Sequence, residues 1–159
     1  MKKNFIVIGG SSGLGEEIVN KLCRLNNRVI VICRRKLPNN KGQYDVINHD
    51  LSTITQQDYI RIFESIGCID GICFSQRYRG DENNAKFGDG ENSVMVDSVA
   101  KCMLALKEFN LNNKTKIFTR VLIIGSAYAS KVGFNQEWKY HIAKASQLAL
   151  VKYFSVRSE

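Results

Sequence analysis

Short apolar runs alternate with helical stretches along the whole chain of 159 residues. Short, mainly apolar runs predict five buried strands, over residues 5–8, 28–33, 44–48, 69–75 and 120–125. Apolar positions at helical spacing predict helices over residues 14–25, 93–109 and 139 to about 156. Ser52 and Thr53 are placed to cap a further helix that runs to Ile66. This alternation predicts an α/β fold with a doubly wound parallel sheet of about five strands, helices on both faces and one domain over residues 1–159.

Composition and charge narrow the function classes. The formal net charge is +8, but lysine and arginine are spread along the chain, which argues against nucleic acid as a partner. The five cysteines form no CxxC pair and only two histidines accompany them, so no zinc spacing is present. No apolar stretch reaches membrane length and no signal sequence is recognisable. We therefore expect a cytoplasmic protein with reduced thiols and no metal or membrane partner.

A glycine-rich turn follows the first strand directly and leads into the first helix. It reads Gly9-Gly10-Ser11-Ser12-Gly13-Leu14-Gly15. Glycines allow a tight turn and close approach to a pyrophosphate, and the N-terminus of the following helix favours a phosphate. Because no Gly-Lys-Ser/Thr follows, a nucleoside triphosphatase loop is disfavoured. The turn predicts a dinucleotide site on a Rossmann-type fold.

The second strand ends in Cys33-Arg34-Arg35, with no carboxylate. In such folds an acid at this place binds the free 2′-hydroxyl of NAD, whereas arginine suits the 2′-phosphate of NADP. NADP(H) is therefore the favoured cofactor, with NAD(H) as the alternative.

Three residues near the other end of the chain carry acid–base chemistry. Tyr140 and Lys144 lie four residues apart, on one face of the last predicted helix. An ammonium beside a phenol favours the phenolate, which makes the phenol a usable general acid and base. Ser126 ends the fifth predicted strand, where its hydroxyl can hydrogen-bond a carbonyl oxygen of a substrate.

Together these residues resemble the short-chain dehydrogenase/reductase family. The family's TGxxxGxG pattern is matched by residues 8–15, its adenine-binding acid by Asp50, and its serine, tyrosine and lysine by Ser126, Tyr140 and Lys144. The resemblance implies hydride transfer between a nicotinamide and a carbonyl or alcohol substrate, with Tyr140 as the proton donor. The cofactor-binding positions are then Gly9, Ser11, Ser12, Gly13, Leu14, Gly15, Arg34, Arg35, Asp50, Leu51, Ser75, Tyr140 and Lys144.

The sequence departs from the family pattern at several places. Ile8 replaces the family's first threonine, and its NNAG reads Phe74-Ser75-Gln76-Arg77. Asp97 stands where the family has the asparagine of a proton relay, and we expect it to hold a water there. The sequence ends at Glu159, without the Pro-Gly turn and last strands of the family, so strand five is expected at an exposed edge.

Two functions therefore remain open: an NADP(H)-dependent oxidoreductase, and a truncated, inactive dinucleotide-binding or interaction module. The polar loop over residues 76–92, with Arg77, Tyr78 and Arg79, suggests a substrate with an anionic group, such as a sugar nucleotide or an acyl carrier. The last two helices carry enough apolar residues to pack on the sheet and on a second copy, and a homo-oligomer is as consistent with them as a monomer.

Overall fold

The fold is a five-stranded parallel sheet with helices on both faces. The computed structural model describes residues 2–35, 37, 43–78, 90–113, 118–134 and 137–156. The strands are β1 Asn4–Ile8, β2 Arg28–Cys33, β3 Asp45–Asn48, β4 Gly71–Phe74 and β5 Arg120–Ile123, in the order β3-β2-β1-β4-β5. The helices are α1 Gly13–Arg24, α2 Gln56–Ile66, α3 Ser98–Asn113 and α4 Trp138–Val156. All four strand pairs are parallel, which confirms the predicted fold class.

The two faces of the sheet bury different side chains because successive residues of a strand point to opposite faces. Val7, Val29 and Val31 form one apolar cluster with Val19 of α1. The isoleucines that alternate with them belong to a second, larger cluster with α2, α3 and α4. One helix therefore covers the valine face and three helices cover the isoleucine face.

The start of α2 differs from the prediction. Its N-cap is Thr55, and the predicted cap at Ser52 and Thr53 was wrong. Thr55 and Asp58 form a capping box, in which each side chain accepts a hydrogen bond from the other's backbone N–H, at 3.1 and 3.0 Å. Ser52 instead donates to the Asp50 carboxylate from both its amide and its hydroxyl.

The predicted helix over residues 93–109 is two elements. Asn92–Asp97 is π-helical, and α3 continues from Ser98. The Ser98 amide donates to the Ser93 carbonyl, five residues back. The Ser98 hydroxyl donates to the Val94 carbonyl at 2.7 Å. In a π-helix the backbone N–H bonds the carbonyl five residues back instead of four. Carbonyl oxygens of this segment can therefore accept hydrogen bonds from side chains.

All five strands run the same way, so their carboxyl ends meet at one edge of the sheet. This edge carries the glycine-rich turn after β1, the arginines after β2, Ser75 after β4 and Ser126 after β5. Residues 36, 38–42 and 79–89 lie outside the described residues, and they include most of the predicted polar loop over residues 76–92. β5 is at the end of the described sheet, as expected, and Leu122 on it is 55% exposed.

Candidate active site

The turn after β1 has the backbone that its glycines predict. Gly9 has φ +83° and Gly13 has φ +57°, a region that residues with a Cβ seldom adopt. The Gly9 amide donates to the Ile32 carbonyl at 2.9 Å, which ties the turn to β2. A Cβ on Gly9 would lie 2.6 Å from the backbone of Gln76, so the loop after β4 packs directly on the turn.

Gly15 sets the distance between α1 and the sheet. It is buried in the first turn of α1, and a Cβ there would lie 2.5 Å from the Ser75 hydroxyl and within contact of the Gly9 carbonyl oxygen. The Ser75 hydroxyl donates to the Ile8 carbonyl at 3.0 Å, so it cannot move away without losing that bond. Helix and strands therefore approach here as closely as a dinucleotide turn requires.

The N-terminus of α1 faces solvent. Its N-cap Ser12 is extended, and the Ser12 side chain caps no described backbone N–H. Ser12, Gly13 and Leu14 are exposed, and 59% of Leu14 is open to solvent. The first amides of α1, with the positive end of its dipole, are thus presented outward at the place where a phosphate would bind.

The residues predicted for the adenosine end lie at the carboxyl ends of β2 and β3. The backbone after β2 is held in place because the Arg35 carbonyl accepts from Asn48 at 2.7 Å, while the Arg34 and Arg35 side chains are exposed. Hydrogen bonds from the Ser52 amide and hydroxyl lower the pKa of the Asp50 carboxyl, and the charge of Arg34 contributes to the same shift. A charged acceptor and two guanidinium groups therefore share this end of the sheet.

Two predicted cofactor residues have side chains that serve the fold. Leu51 is 6% exposed and belongs to the large apolar cluster. The Ser75 hydroxyl is used within the protein, as described above. Any contact of Leu51 with a ligand would therefore come from its backbone, and Ser75 supports the turn. Ser11 is half-buried within the turn.

Tyr140 and Lys144 lie together on α4, as their spacing predicts, and they face the end of β5. The Lys144 ammonium is 5.8 Å from the centre of the Tyr140 ring and donates to the Ile124 carbonyl at 2.7 Å. The Tyr128 ring packs edge-on against Tyr140, with centroids 6.3 Å apart. Along the chain, Ser126 therefore lies between Ile124, which accepts from Lys144, and Tyr128, which packs against Tyr140.

Ser126 caps the 3-10 turn Ala127–Ala129. Its hydroxyl oxygen accepts from the Tyr128 amide at 3.2 Å, a bond that leaves the O–H as a donor. His141 holds this turn against α4, because its ring nitrogens contact the carbonyls of Tyr128 at 3.1 Å and Gly133 at 3.3 Å.

Lys144 is 5% exposed, and its hydrogen-bond acceptors are neutral. Besides Ile124, its ammonium donates to the Gln147 side-chain oxygen at 2.9 Å. Burial lowers the pKa of Lys144, and the positive charge of Arg77 lowers it further.

Asp97 is exposed on the π-helical segment, and the hydrogen bonds described for Lys144 go to Ile124 and Gln147 instead. The link from Lys144 to that segment runs instead through Gln147, whose amide nitrogen donates to the Met95 carbonyl at 2.6 Å. Sequence reasoning missed Gln147. Gln147 lies seven positions after Tyr140 and three after Lys144, so it shares their helix face. This spacing could have identified Gln147 as a neighbour of the pair.

Arg77 is a second residue whose place sequence reasoning did not foresee. Its guanidinium lies 4.7 Å from the centre of the Tyr140 ring, at cation–π distance. In the resemblance given above, Arg77 occupies the position of the glycine of the NNAG pattern, a residue that has no side chain.

The described residues form neither a metal site nor a membrane-spanning helix. Within residues 2–156, apart from the gaps given above, no three His, Cys, Asp or Glu side chains gather in a way that could hold a metal ion. Over the same ranges, every helix is too short or too polar to cross a bilayer.

The fold matches many solved structures. A short chain dehydrogenase from Bacillus anthracis superimposes with a TM-score of 0.77 at 22% identity, covering 98% of this chain and 69% of its own. A short chain dehydrogenase from Leptospira borgpetersenii with bound NAD+ gives 0.80 at 18%, covering 99% and 66%. A 3-oxoacyl-[acyl-carrier protein] reductase from Brucella melitensis in complex with NAD gives 0.79 at 18%, covering 99% and 68%.

The chain thus spans about two thirds of the length of these proteins. No protein-family model matches it, and no curated protein matches its sequence. Almost the whole chain superimposes on the three solved structures. The sequence identities are too low to show more than a shared fold. The chain has the Rossmann-type fold of the short-chain dehydrogenases.

Proposed function

We propose that this protein is an NADP(H)-dependent oxidoreductase that moves a hydride between a nicotinamide and a carbonyl or alcohol substrate. One observation carries the proposal. The Tyr140 and Lys144 pair lies against the end of β5, on the same edge of the sheet as the glycine cradle after β1. Acid–base residues and a dinucleotide cradle on one edge are what this chemistry requires.

The residues present fit a dinucleotide. Gly9 and Gly13 have the conformation of a phosphate-binding turn, and a Cβ on Gly15 would fill the space that brings α1 close to the strands. The exposed amides at the start of α1 would hold the pyrophosphate. Asp50 would accept from the adenine, and the bound nicotinamide would supply or take the hydride.

Tyr140 would give a proton to the carbonyl oxygen during reduction and take it back during oxidation. Ser126 would donate its O–H to the same oxygen and so orient the carbonyl. Lys144 would use an N–H that does not bond Ile124 or Gln147 to hold the nicotinamide ribose, with its charge favouring the Tyr140 phenolate.

The preference for NADP(H) rests on Arg34 and Arg35. Both side chains are exposed at the end of β2, on a backbone held by Asn48. A guanidinium can bind the 2′-phosphate through two parallel hydrogen bonds, whereas NAD(H) offers only a hydroxyl there. The positive charge of Arg34 contributes to the lowered pKa of Asp50, so the two charges interact at this end of the sheet.

A fluorescence titration with NADPH and NADH tests the binding. Wild type should bind NADPH more tightly, and Arg34→Ala should lose about ten- to a hundredfold in NADPH affinity with little change for NADH, as expected for a charge-assisted hydrogen bond. Arg28→Ala is the matched control, because Arg28 pairs with Asp45 at the start of β2. If wild type binds neither nucleotide, the proposal fails.

Turnover is tested by carbonyl-dependent oxidation of NADPH. Tyr140→Phe should abolish it while leaving NADPH binding intact, because only the hydroxyl is lost. If wild type and Tyr140→Phe bind NADPH but turn over equally slowly, the chain is a dinucleotide-binding module without activity of its own.

The proposed partner is a small molecule, and the chain is expected to act in the cytoplasm without nucleic acid. A homo-oligomer is part of the proposal, supported by large apolar side chains on α4 that remain exposed, among them Ile142, Leu148 and Val151. Light scattering on the purified chain gives the mass directly, and a monomer at micromolar concentration would contradict this part.

A further inference from the structure

Gln147 forms a bridge between Lys144 and the π-helical segment. It is 3% exposed, its side-chain oxygen accepts from the Lys144 ammonium at 2.9 Å, and its nitrogen donates to the Met95 carbonyl at 2.6 Å. An ammonium can only donate and a backbone carbonyl can only accept. The two neighbours therefore fix the orientation of the amide, and no flipped arrangement satisfies both.

We propose that Gln147 is the positioning residue of Lys144: its amide holds the ammonium at the end of β5 and takes the place of the water relay expected at Asp97. This inference rests on the proposed function for its catalytic meaning, since Lys144 matters only if Tyr140 reacts. The geometry itself stands on described hydrogen bonds alone.

The bridge determines where the ammonium can act. Of its three N–H groups, one goes to Ile124 and one to Gln147, so tetrahedral geometry sets the direction of the third. A carboxamide neither gains nor loses a proton in the accessible pH range, so Gln147 fixes the ammonium without conducting protons. The proton that Tyr140 gives away is therefore not replaced through the Gln147 side chain.

Because Lys144 is buried, its pKa responds strongly to the loss or gain of a hydrogen bond to Gln147. From α4 it is faced by Tyr140 and Gln147, from the loop after β4 by Arg77, and from the end of β5 by the Ile124 carbonyl. Burial and the Arg77 charge hold the pKa of Lys144 below its ordinary value. The two neutral acceptors work in the opposite direction, because they stabilise the charged form.

The test is a titration of Lys144 by NMR, with the lysine ε-carbons labelled and the Lys144 signal assigned from its loss in Lys144→Arg. Gln147→Met removes one acceptor at nearly constant volume, so the pKa of Lys144 should fall by a further one to two units, roughly the value of one charge-assisted hydrogen bond. Gln147→Glu puts a carboxylate beside the ammonium, so the pKa should rise above the wild-type value. Gln56→Met is the control, because Gln56 bonds Glu108 at an exposed site and should leave Lys144 unchanged.

The pKa of Lys144 is expected to fall in Gln147→Met and to rise in Gln147→Glu. These opposite shifts distinguish a positioning role of Gln147 from a merely structural one. If substitution of Gln147 only loosened the packing, water would enter and the pKa of Lys144 would rise in both variants. That result, or an unchanged pKa in both, overturns the proposal. Gln147→Glu keeps the size and shape of the side chain and preserves the test if Gln147→Met does not fold. The titration needs neither cofactor nor turnover, so failure of the oxidoreductase proposal would show separately, in the NADPH binding assay.

Discussion

Replacing Gly15 by alanine adds one methyl group between α1 and the sheet. The new Cβ would lie 2.5 Å from the Ser75 hydroxyl and against the Gly9 carbonyl oxygen. Neither neighbour can yield easily, because one is backbone and the other is bonded to Ile8 at 3.0 Å. We therefore expect α1 to be displaced away from the turn that it should hold.

The magnitude comes from two opposing effects. Within a helix, alanine is more favourable than glycine by about 1 kcal/mol. Overpacking against fixed neighbours costs about 1–3 kcal/mol, and the contact with backbone places Gly15 in the upper part of that range. The net effect is a destabilisation of about 1–2 kcal/mol, equivalent to a fall in Tm of about 2–8 °C for a chain of this size.

Urea unfolding followed by circular dichroism measures the stability, and NADPH fluorescence measures the turn. The matched control is Glu17, an exposed residue of α1 two positions after Gly15. Glu17→Ala should be more stable than Glu17→Gly by about 1 kcal/mol, the ordinary helix preference. Gly15→Ala should reverse that sign and also weaken NADPH binding.

A Gly15→Ala protein as stable as wild type, or more stable, would refute this reasoning. It would mean that α1 can move outward at no cost and that close helix–strand approach is not a requirement of this turn.

Further predictions concern the fold and its ionisable groups. Thr55→Val should lose about 1–2 kcal/mol in urea unfolding, because it removes the hydroxyl of the capping box, and a loss below 0.5 kcal/mol, roughly the lower limit for a lost cap, would contradict that role. The pKa values of Asp50 and Asp58 are lowered in the folded protein by bonds from Ser52 and Thr55, so their stabilisation is present above the unfolded pKa near 4 and lost as pH falls through the folded values. Asp50→Asn should therefore flatten the loss of stability in acid, which urea unfolding at several pH values would show. Burial raises the pKa of the Cys102 thiol well above its ordinary value, so a thiol reagent should modify exposed Cys68 quickly and Cys102 only on unfolding.

The strands could be predicted because their signal is local. The run over residues 28–33 has the predicted bounds, since six residues with five buried apolar side chains are recognisable without knowledge of their neighbours. The run over 69–75 is longer than β4, because Ile69 is buried without being paired in the sheet. Burial is encoded in the residue type, whereas pairing depends on where β1 and β5 begin.

The site was predictable to the extent that it follows from turn chemistry and helix spacing. The glycine turn and the Tyr140 and Lys144 pair depend on residues within a few positions of each other. The partners of Lys144 depend on contacts across 20 and more residues, with Ile124 on one side and Met95 beyond Gln147 on the other. No periodicity in residues 93–109 distinguishes a π-helical start from a regular helix, because its Val94 and Met95 carbonyls accept from Gln76 and Gln147, which lie elsewhere in the sequence.

The π-helical segment makes the site depend on chain length as well as on residue type. Its bonds reach back five residues, so it contains one residue more than a regular turn needs. Deleting a single residue there would let the helix continue in regular form, but it would rotate what precedes it by about 100° relative to α3. The Met95 carbonyl would then leave Gln147, although no side chain of the site had changed. Relatives that share this arrangement should therefore tolerate many substitutions between Gly90 and Ser98 while keeping the number of residues constant.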